Sequence, residues 1–303
     1  MNVKNHSRTD QKLVSIIVIF NQFRREKLVR LLESMKEQVS IFPTEVLLLH
    51  ESNTVLAAPE LPLAVRYFTI PEKQGIPFNR NQGIKQARGE LIVFIDDDCW
   101  VHGKWLSSLL RPLQENPDLL AVTSGTKIPP SNFLGNCISA LGFPGGGSLG
   151  FEKIWKVSEG GFTTHLAAGN CCLRKEIFDK VGLFDETMKY GAEDAELSYR
   201  LEKAKIPIKY SPEAYAFHEA RTTWSSFLQW QLRRGKANYH FKKKINRIKP
   251  FVQLRAWSAL NVLKHNFLNL RFPVVATLLG ISFAVQQTGY TVEAVRAWKN
   301  KRG

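Results

Sequence analysis

The stretch Leu91-Ile-Val-Phe-Ile-Asp96-Asp97-Asp98 constrains this chain more than any other. Five apolar residues, rich in β-branched and aromatic types, run directly into three carboxylates. A continuous apolar run of that length reads as a strand buried on both faces, the kind found inside a parallel sheet. Ligands of open α/β sheets sit beyond the carboxyl ends of the strands, where these aspartates fall. Adjacent carboxylates repel one another, so a cation or raised pKa values must relieve the site. In an extended chain Asp96 and Asp98 point to one side and Asp97 to the other, an arrangement suited to a hard divalent cation. A solvated acidic turn is the competing reading of the triplet alone.

The flanking sequence repeats the strand-then-helix pattern. Val14–Phe20 reads as a first buried strand ending at Asn21, and Leu28, Leu31, Leu32 and Met35 mark one face of the helix after it. Glu45–Leu49 is a second strand that delivers His50, Glu51, Ser52 and Asn53 to its end, and Val65–Thr69 is a third. Gly75, Pro77 and Phe78-Asn-Arg80-Asn81-Gln-Gly83 open a helix leading into the Leu91 strand. A helix over Lys104–Gln114 and a strand over Leu120–Thr123 follow. This alternation predicts an α/β fold with a mostly parallel sheet and helices on both faces.

From Gly125 to Gly161 the chain turns rich in Gly, Pro and Ser, yet interleaves Phe133, Leu141, Phe143, Phe151 and Trp155. It reads either as a surface insertion held by aromatics or as a lid or acceptor-binding loop. Order returns at Ala168–Lys175, followed by a short helix. Leu197 and Leu201 place a further helix near Glu193, whose first-turn carboxylates the helix dipole alone would favour. Strands near Ile208–Tyr210 and Ala216–His218 come next, and a lone strand-end histidine such as His218 is commonly structural.

The formal charge of +15 implies a polyanionic partner: nucleic acid, an anionic membrane surface or phosphorylated substrates. Four cysteines without a Cys-x-x-Cys pair point to a reducing compartment. The polar Met1–Lys12 and the short apolar run after it do not read as a signal peptide. Beyond Gln229–Gly235, the basic Lys242–Lys249 leads into an amphipathic helix from Phe251. The apolar run Phe272–Val285, about fourteen residues, falls short of the ~18–20 a spanning helix needs. It packs on the catalytic domain or lies in a membrane interface.

Together the stations Val14–Asn21, Phe78–Gly83, Phe94–Asp98 and Gly169–Arg174 through Gly182–Asp185 and Glu193-Asp194 to His218 resemble the family 2 glycosyltransferases of the GT-A fold. The resemblance spans Val14 to Gly235. It implies a GT-A catalytic domain over 12–240, with a nucleotide-sugar half to about 124 and an acceptor half from about 125. A helical extension over 241–303, expected to associate with a membrane, follows it. It also implies an inverting enzyme that uses a nucleotide-sugar donor, UDP-linked by expectation, with Mg2+ or Mn2+. Asp96 and Asp98 match the family's Asp-x-Asp motif, and His218 matches a histidine that completes the metal site in relatives. Asp194 matches the catalytic base. Asn21, Glu51, Arg80, Asn81 and Asp97 fall at donor-pocket positions, and Arg233 or Arg234 would grip phosphate oxygens. The acceptor would be a glycan or lipid-linked sugar in polysaccharide biosynthesis, reached from the cytoplasmic face of a membrane to which the enzyme binds peripherally.

Two departures qualify the match. The second strand ends in His50-Glu51-Ser52 where the family has Asp-Asp-Gly, so Glu51 would read the nucleobase and the base preference loosens. Gln231-Leu-Arg-Arg234 is followed by Gly235 rather than the tryptophan of processive members, which favours single-sugar transfer. Two rival readings exist. A nucleotidyltransferase would need a glycine-rich loop after the first strand, where Asn21-Gln-Phe-Arg-Arg stands. A non-catalytic, basic nucleic-acid binder would leave the aspartates unexplained, and no sequence-specific nucleic acid is expected.

Overall fold

The computed structural model describes residues 12–20, 25–52, 61–70, 74–245 and 248–300. The expected strands form, in chain order, β1 (Val14–Phe20), β2 (Thr44–Glu51), β3 (Arg66–Ile70) and β4 (Leu91–Asp96). Helices α1 (Arg25–Ile41) and α2 (Ile76–Gln86) lie among them. After β4 come β5 (Cys99–Val101), α3 (Trp105–Glu115), β6 (Ala121–Thr123) and β7 (Thr126–Lys127). Two short helices, α4 (Phe133–Ser139) and α5 (Phe151–Ile154), interrupt the Gly-rich segment. The chain continues through β8 (Phe162–Thr163), β9 (Asn170–Arg174), α6 (Ile177–Val181), α7 (Glu193–Lys203), β10 (Ile208–Tyr210) and β11 (Ala216–His218). Helices α8 (Trp224–Lys244), α9 (Ile248–Asn266) and α10 (Phe272–Lys299) complete it.

An eight-stranded sheet runs β3-β2-β1-β4-β9-β6-β10-β8. Its first four strands are mutually parallel, as the buried Val/Ile/Leu runs require. Beyond β4 the sheet is mixed, because β9 inserts antiparallel between β4 and β6. Alternation along each strand feeds two cores. Ile16, Val18, Val93 and Ile95 pack on α1 and α3, while Ile17, Ile92 and Phe94 pack with α2, α6 and α7 on the other face.

A second sheet, β5-β11-β7, sits beyond the end of β4. The Gly-rich segment is folded in rather than splayed. Thr126 N donates to Gly145 O at 2.8 Å, and Phe143 and Phe151 both contact Trp155.

The C-terminal helices depart from expectation in two ways. The domain boundary expected at 240/241 falls inside α8, which the Thr223 hydroxyl caps by accepting from Ser226 N and which runs unbroken to Lys244. The helix that carries the apolar run also does not stop at Val285. It is the single 28-residue helix α10, long and apolar enough by length and composition to cross a membrane. Yet α10 packs along α8, where Gly235 faces the Gln286 carbonyl and Gly289 faces the Leu232 carbonyl so closely that neither has room for a Cβ. Val275 and Leu278 join Val262, Phe227, Cys137, Ile138 and Leu141 in one apolar cluster. The extension therefore shares a core with the acceptor half. Cys99, Cys137, Cys171 and Cys172 are all buried and free.

Candidate active site

Strand order builds the site. The β4 strand ends at Asp96, and the chain turns at Asp97 and Asp98 into β5. Antiparallel pairing of β11 with β5 sets His218 opposite Cys99, next to Asp98. His218 Nε2 lies 3.2 Å from Asp98 Oδ1, with both side chains largely buried. His218 Nδ1 meets the Glu219 carbonyl at 2.7 Å. Nδ1 donates to that carbonyl and Nε2 is turned toward Asp98, to which it donates when the ring is protonated. Burial opposes the imidazolium, but the Asp98 hydrogen bond outweighs it and raises the His218 pKa above its ordinary value.

Asp96 behaves differently. Its side chain remains 47% exposed and lies 3.6 Å from Arg80. The backbone at Gly169, just ahead of β9, comes so close to this carboxylate that a Cβ there would collide with it. The surrounding protein, with Asp98 adding repulsion, raises the Asp96 pKa against the pull of Arg80.

Asp97 stands in the turn after β4, where the chain is no longer extended, and is 5% exposed.

Arg80 reaches from α2 under the ends of these strands. It pairs with Glu193, donates to the Ala168 carbonyl at 3.1 Å and is 5% exposed. Burial works against its charge, but Glu193, Asp96 and Asp194 together hold its pKa above the ordinary value. Arg80 is thus held by protein partners beside Asp96.

Asn81 is likewise placed elsewhere. Its amide donates to Phe184 O at 2.9 Å and Glu186 Oε1 at 2.8 Å, and its oxygen accepts from Phe184 N at 3.0 Å. It pins the turn before α7 and has no side-chain atom left over for a nucleotide. Glu51 accepts from Gly75 N at 2.7 Å and Asn79 Nδ2 at 2.5 Å, closing the start of α2 at the sheet edge. Asn21 and Asn53 lie outside the described residues.

Asp194 opens α7 beside Glu193, and its Oδ1 accepts from the Ala195 amide at 2.7 Å. Burial raises its pKa, Arg80 opposes, and Asp96 adds to the rise. A raised pKa is the direction in which a carboxylate becomes a better proton acceptor.

Of the two candidate arginines, Arg233 is exposed, whereas Arg234 turns inward onto Phe143 and Trp230. Sequence reasoning missed Asn170. Its side chain accepts from Trp105 Nε1 at 2.9 Å and donates to Gly125 O and Ala214 O, fixing three segments around the site. A buried Asn at a strand start was the only signal for it.

The acidic residues fit a divalent cation through two ligands. Octahedral ligands at ~2.0–2.1 Å from a metal stand roughly 3 Å apart, close to the Asp98–His218 separation of 3.2 Å. Among the described residues no group of three or more His, Cys, Asp or Glu forms a ready cage, because Asp96 is drawn toward Arg80. The remaining positions would go to water and phosphate oxygens, the usual habit of Mg2+.

A strand-end acidic turn, a neighbouring histidine and two carboxylates at the head of a helix thus gather around the end of β4. The model for glycosyl transferase family 2 matches residues 15–182, and the chain belongs to that family. The O-antigen biosynthesis protein RfbC of Myxococcus xanthus is 28% identical over 228 residues, covering 68% of this chain and 17% of that protein. Polypeptide N-acetylgalactosaminyltransferase 11 of Xenopus tropicalis is 23% identical over 223 residues, covering 63% of this chain and 35% of that one. The chain thus spans well under half the length of these relatives. The fold is shared with the mannosyltransferase PcManGT of Pyrobaculum calidifontis, solved with GDP-Man and Mn2+. That match has a TM-score of 0.54 at 17% identity over 96% of this chain and 86% of that one. Family membership displaces the nucleotidyl-transfer and nucleic-acid-binding readings.

Proposed function

We propose that this protein transfers a single sugar from a nucleoside-diphosphate sugar, UDP-linked by preference, to a hydroxyl of a glycan or lipid-linked acceptor, with inversion at the anomeric carbon. The observation that carries the reading is the position of Asp194. One buried guanidinium, Arg80, lies in the field of both Asp194 and Asp96, so the base and the leaving-group station are set against a common strut. Asp194 takes the acceptor hydroxyl's proton as the oxygen attacks, and burial, by raising its pKa, makes it a better acceptor for that proton. Asp98 and His218 hold the cation, Mn2+ or Mg2+, which when bound neutralises charge on the departing diphosphate. Arg80 keeps Glu193 from competing as a base by occupying it. A panel of nucleoside diphosphates with and without Mn2+, read by thermal unfolding, tests the donor assignment. UDP should stabilise most and only with metal. Equal shifts from every nucleotide without metal would sink it.

Peripheral attachment to the cytoplasmic face of an anionic membrane belongs to the same reading, and the fold moves its centre. The expected basic cluster is partly engaged, since Lys244 pairs with Asp185 at 2.6 Å and Lys243 stacks on Tyr239. The most exposed apolar side chains stand instead at the α9–α10 corner, where Leu268 and Leu270 are 95% and 100% exposed beside Lys264 and Arg271. Because α9 and α10 share the acceptor-half core, truncation is a poor test. Leu268→Asp with Leu270→Asp should release the folded protein from anionic vesicles in sedimentation. Undiminished binding would remove this corner from the account.

A further inference from the structure

Three arginines converge near the candidate base. Arg234 of α8 lies with its Cζ 3.9 Å from the Phe143 ring centre and 5.1 Å from that of Trp230. Arg255 of α9 lies 5.1 Å from the same Phe143 ring, and Arg221, just before α8, lies 4.3 Å from Trp230. The two rings are 6.4 Å apart, so the guanidiniums share one aromatic floor. Elsewhere the fold treats its enclosed arginines with care. Arg80 has Glu193, Arg200 has Glu196, and Arg174 has the Leu113 and Leu119 carbonyls. Among the described residues neither Arg234 nor Arg255 has a carboxylate partner.

Like charges gathered on half-buried side chains repel one another unless an anion joins them. The strain is visible in the side chains. Burial, with Arg255 and Arg221 adding repulsion, pushes the Arg234 pKa well down, and burial takes Arg255 to about 10. His165, stacked flat on Trp155 at the edge of the cluster, is pushed down to about 3 by burial and by Arg255, so it stays neutral and adds no charge. Guanidinium forks rather than ammonium groups suit a planar or tetrahedral oxyanion.

We propose that Arg221, Arg234 and Arg255, on the floor of Phe143 and Trp230, form a binding site for an oxyanion carried by the acceptor, a phosphate or a carboxylate. The inference rests on the glycosyltransferase reading above and adds that the acceptor is anionic. The alternative source of the same chemistry is the donor's own diphosphate. Position favours the acceptor. Arg234 lies in the field of Asp194, the group that faces the attacking hydroxyl. Phe143 belongs to the Gly-rich segment of the acceptor half, and Arg255 to α9 of the extension, which shares a core with that half. Of the three, only Arg221 is felt by His218 of the metal pair. The flat faces of Phe143 and Trp230 add a surface on which a sugar ring can rest.

The test uses the full chain, with glycerol 3-phosphate as probe and glycerol and matched sodium chloride as controls. Unfolding temperature is followed with and without saturating UDP and Mg2+. Glycerol 3-phosphate should stabilise the protein in both conditions, additively with the nucleotide. Arg255→Gln and Arg234→Gln should abolish the phosphate shift. Lys299→Gln, which removes one exposed charge elsewhere, should keep it, and Asp98→Asn should lose only the nucleotide shift. Should Arg255→Gln fail to fold, Arg255→Lys keeps the charge, loses the fork, and should weaken the shift several-fold. No phosphate shift in the unaltered protein, or one lost in Lys299→Gln as well, overturns the proposal. So does a shift erased by saturating nucleotide, which would assign the arginines to the donor diphosphate. Absence of any nucleotide shift sinks the donor reading separately, because the phosphate arm without nucleotide is read by itself.

Discussion

Asp96 with Asp98 and Glu193 with Asp194 are both clustered carboxylates, and the fold resolves the two clusters by the same device. In each, one member leans on Arg80 and the other turns to a different partner. Asp96 and Glu193 flank the guanidinium, whereas Asp98 turns to His218 and Asp194 to the first amides of α7. The difference lies in depth. The Glu193 side chain is 8% exposed and saturated by its partner, while Asp96 keeps 47% of its side chain open. A run of acids is therefore not one site but a division of labour, and the buried cation between the clusters decides which acid is free.

The sharpest way to break that division is at Asp194. Asp194→Asn should lower kcat by roughly 10²–10⁴-fold, the range of a lost general base. Metal-dependent stabilisation by UDP should be untouched, and a loss under tenfold would pass the role to Glu196 or Glu193.

Arg80→Met comes next. It strands Glu193 in the interior, and breaking a buried pair costs about 3–5 kcal/mol. Chemical denaturation should show that loss, with partial recovery in the double variant carrying Glu193→Leu as well. A loss below 1 kcal/mol would mean the strut is ornamental.

Asp98→Asn should erase the Mn2+-dependent part of UDP stabilisation, worth about 2.7 kcal/mol at a hundredfold excess over Kd. Asp96→Asn should keep a good part of it. Equal losses would make the two aspartates equivalent ligands.

Outside the site, Gly289→Ala forces a Cβ against the Leu232 carbonyl and should cost about 1–3 kcal/mol in unfolding, as overpacking does. No change in unfolding free energy would show that α10 rides loosely on α8.

The smallest effect concerns pH. His165 has a folded pKa of about 3 against an ordinary value near 6.5, so the unfolded chain binds more protons between those limits. Stability should fall as pH drops from 6.5 toward 3, and His165→Gln should flatten that slope. An unchanged slope would place the acid sensitivity in another group.

The sheet was legible because its evidence is local. Val14–Phe20, Glu45–Leu49 and Leu91–Ile95 announce buried strands residue by residue, and the triplet stands at the one place where such strands deliver chemistry. The insertion of β9 antiparallel was not legible, since nothing in Asn170-Cys-Cys-Leu-Arg174 fixes direction. Side-chain partners were not legible where they lie far along the chain. Asn81 meets Phe184 and Glu186, 103 and 105 positions on, and Arg80 meets Glu193 at a separation of 113. Only tertiary packing brings these partners together, and it also sets Arg80 beside Asp96. The length of α10 was misjudged for a different reason. Gln286 and Gln287 looked like an end, yet Gln286 spends its amide on Gln231 and Gln286 Oε1 accepts from Asn238, so polar residues mid-helix serve the α8 contact.

The four enclosed thiols carry a practical consequence. Burial lifts Cys99 and Cys172 far above the ordinary thiol range and Cys171 to about 12, so none is a competent thiolate while the chain is folded. Cys99 is on β5 opposite His218, Cys171 and Cys172 on β9, and Cys137 under α10 in the shared core. Alkylation by iodoacetamide can then proceed only through opening events, and each cysteine times a different one. Mass spectrometry of the order in which they label would rank the metal-side sheet, the central strands and the α4–α10 contact by how often each comes apart, with no reporter engineered into the chain.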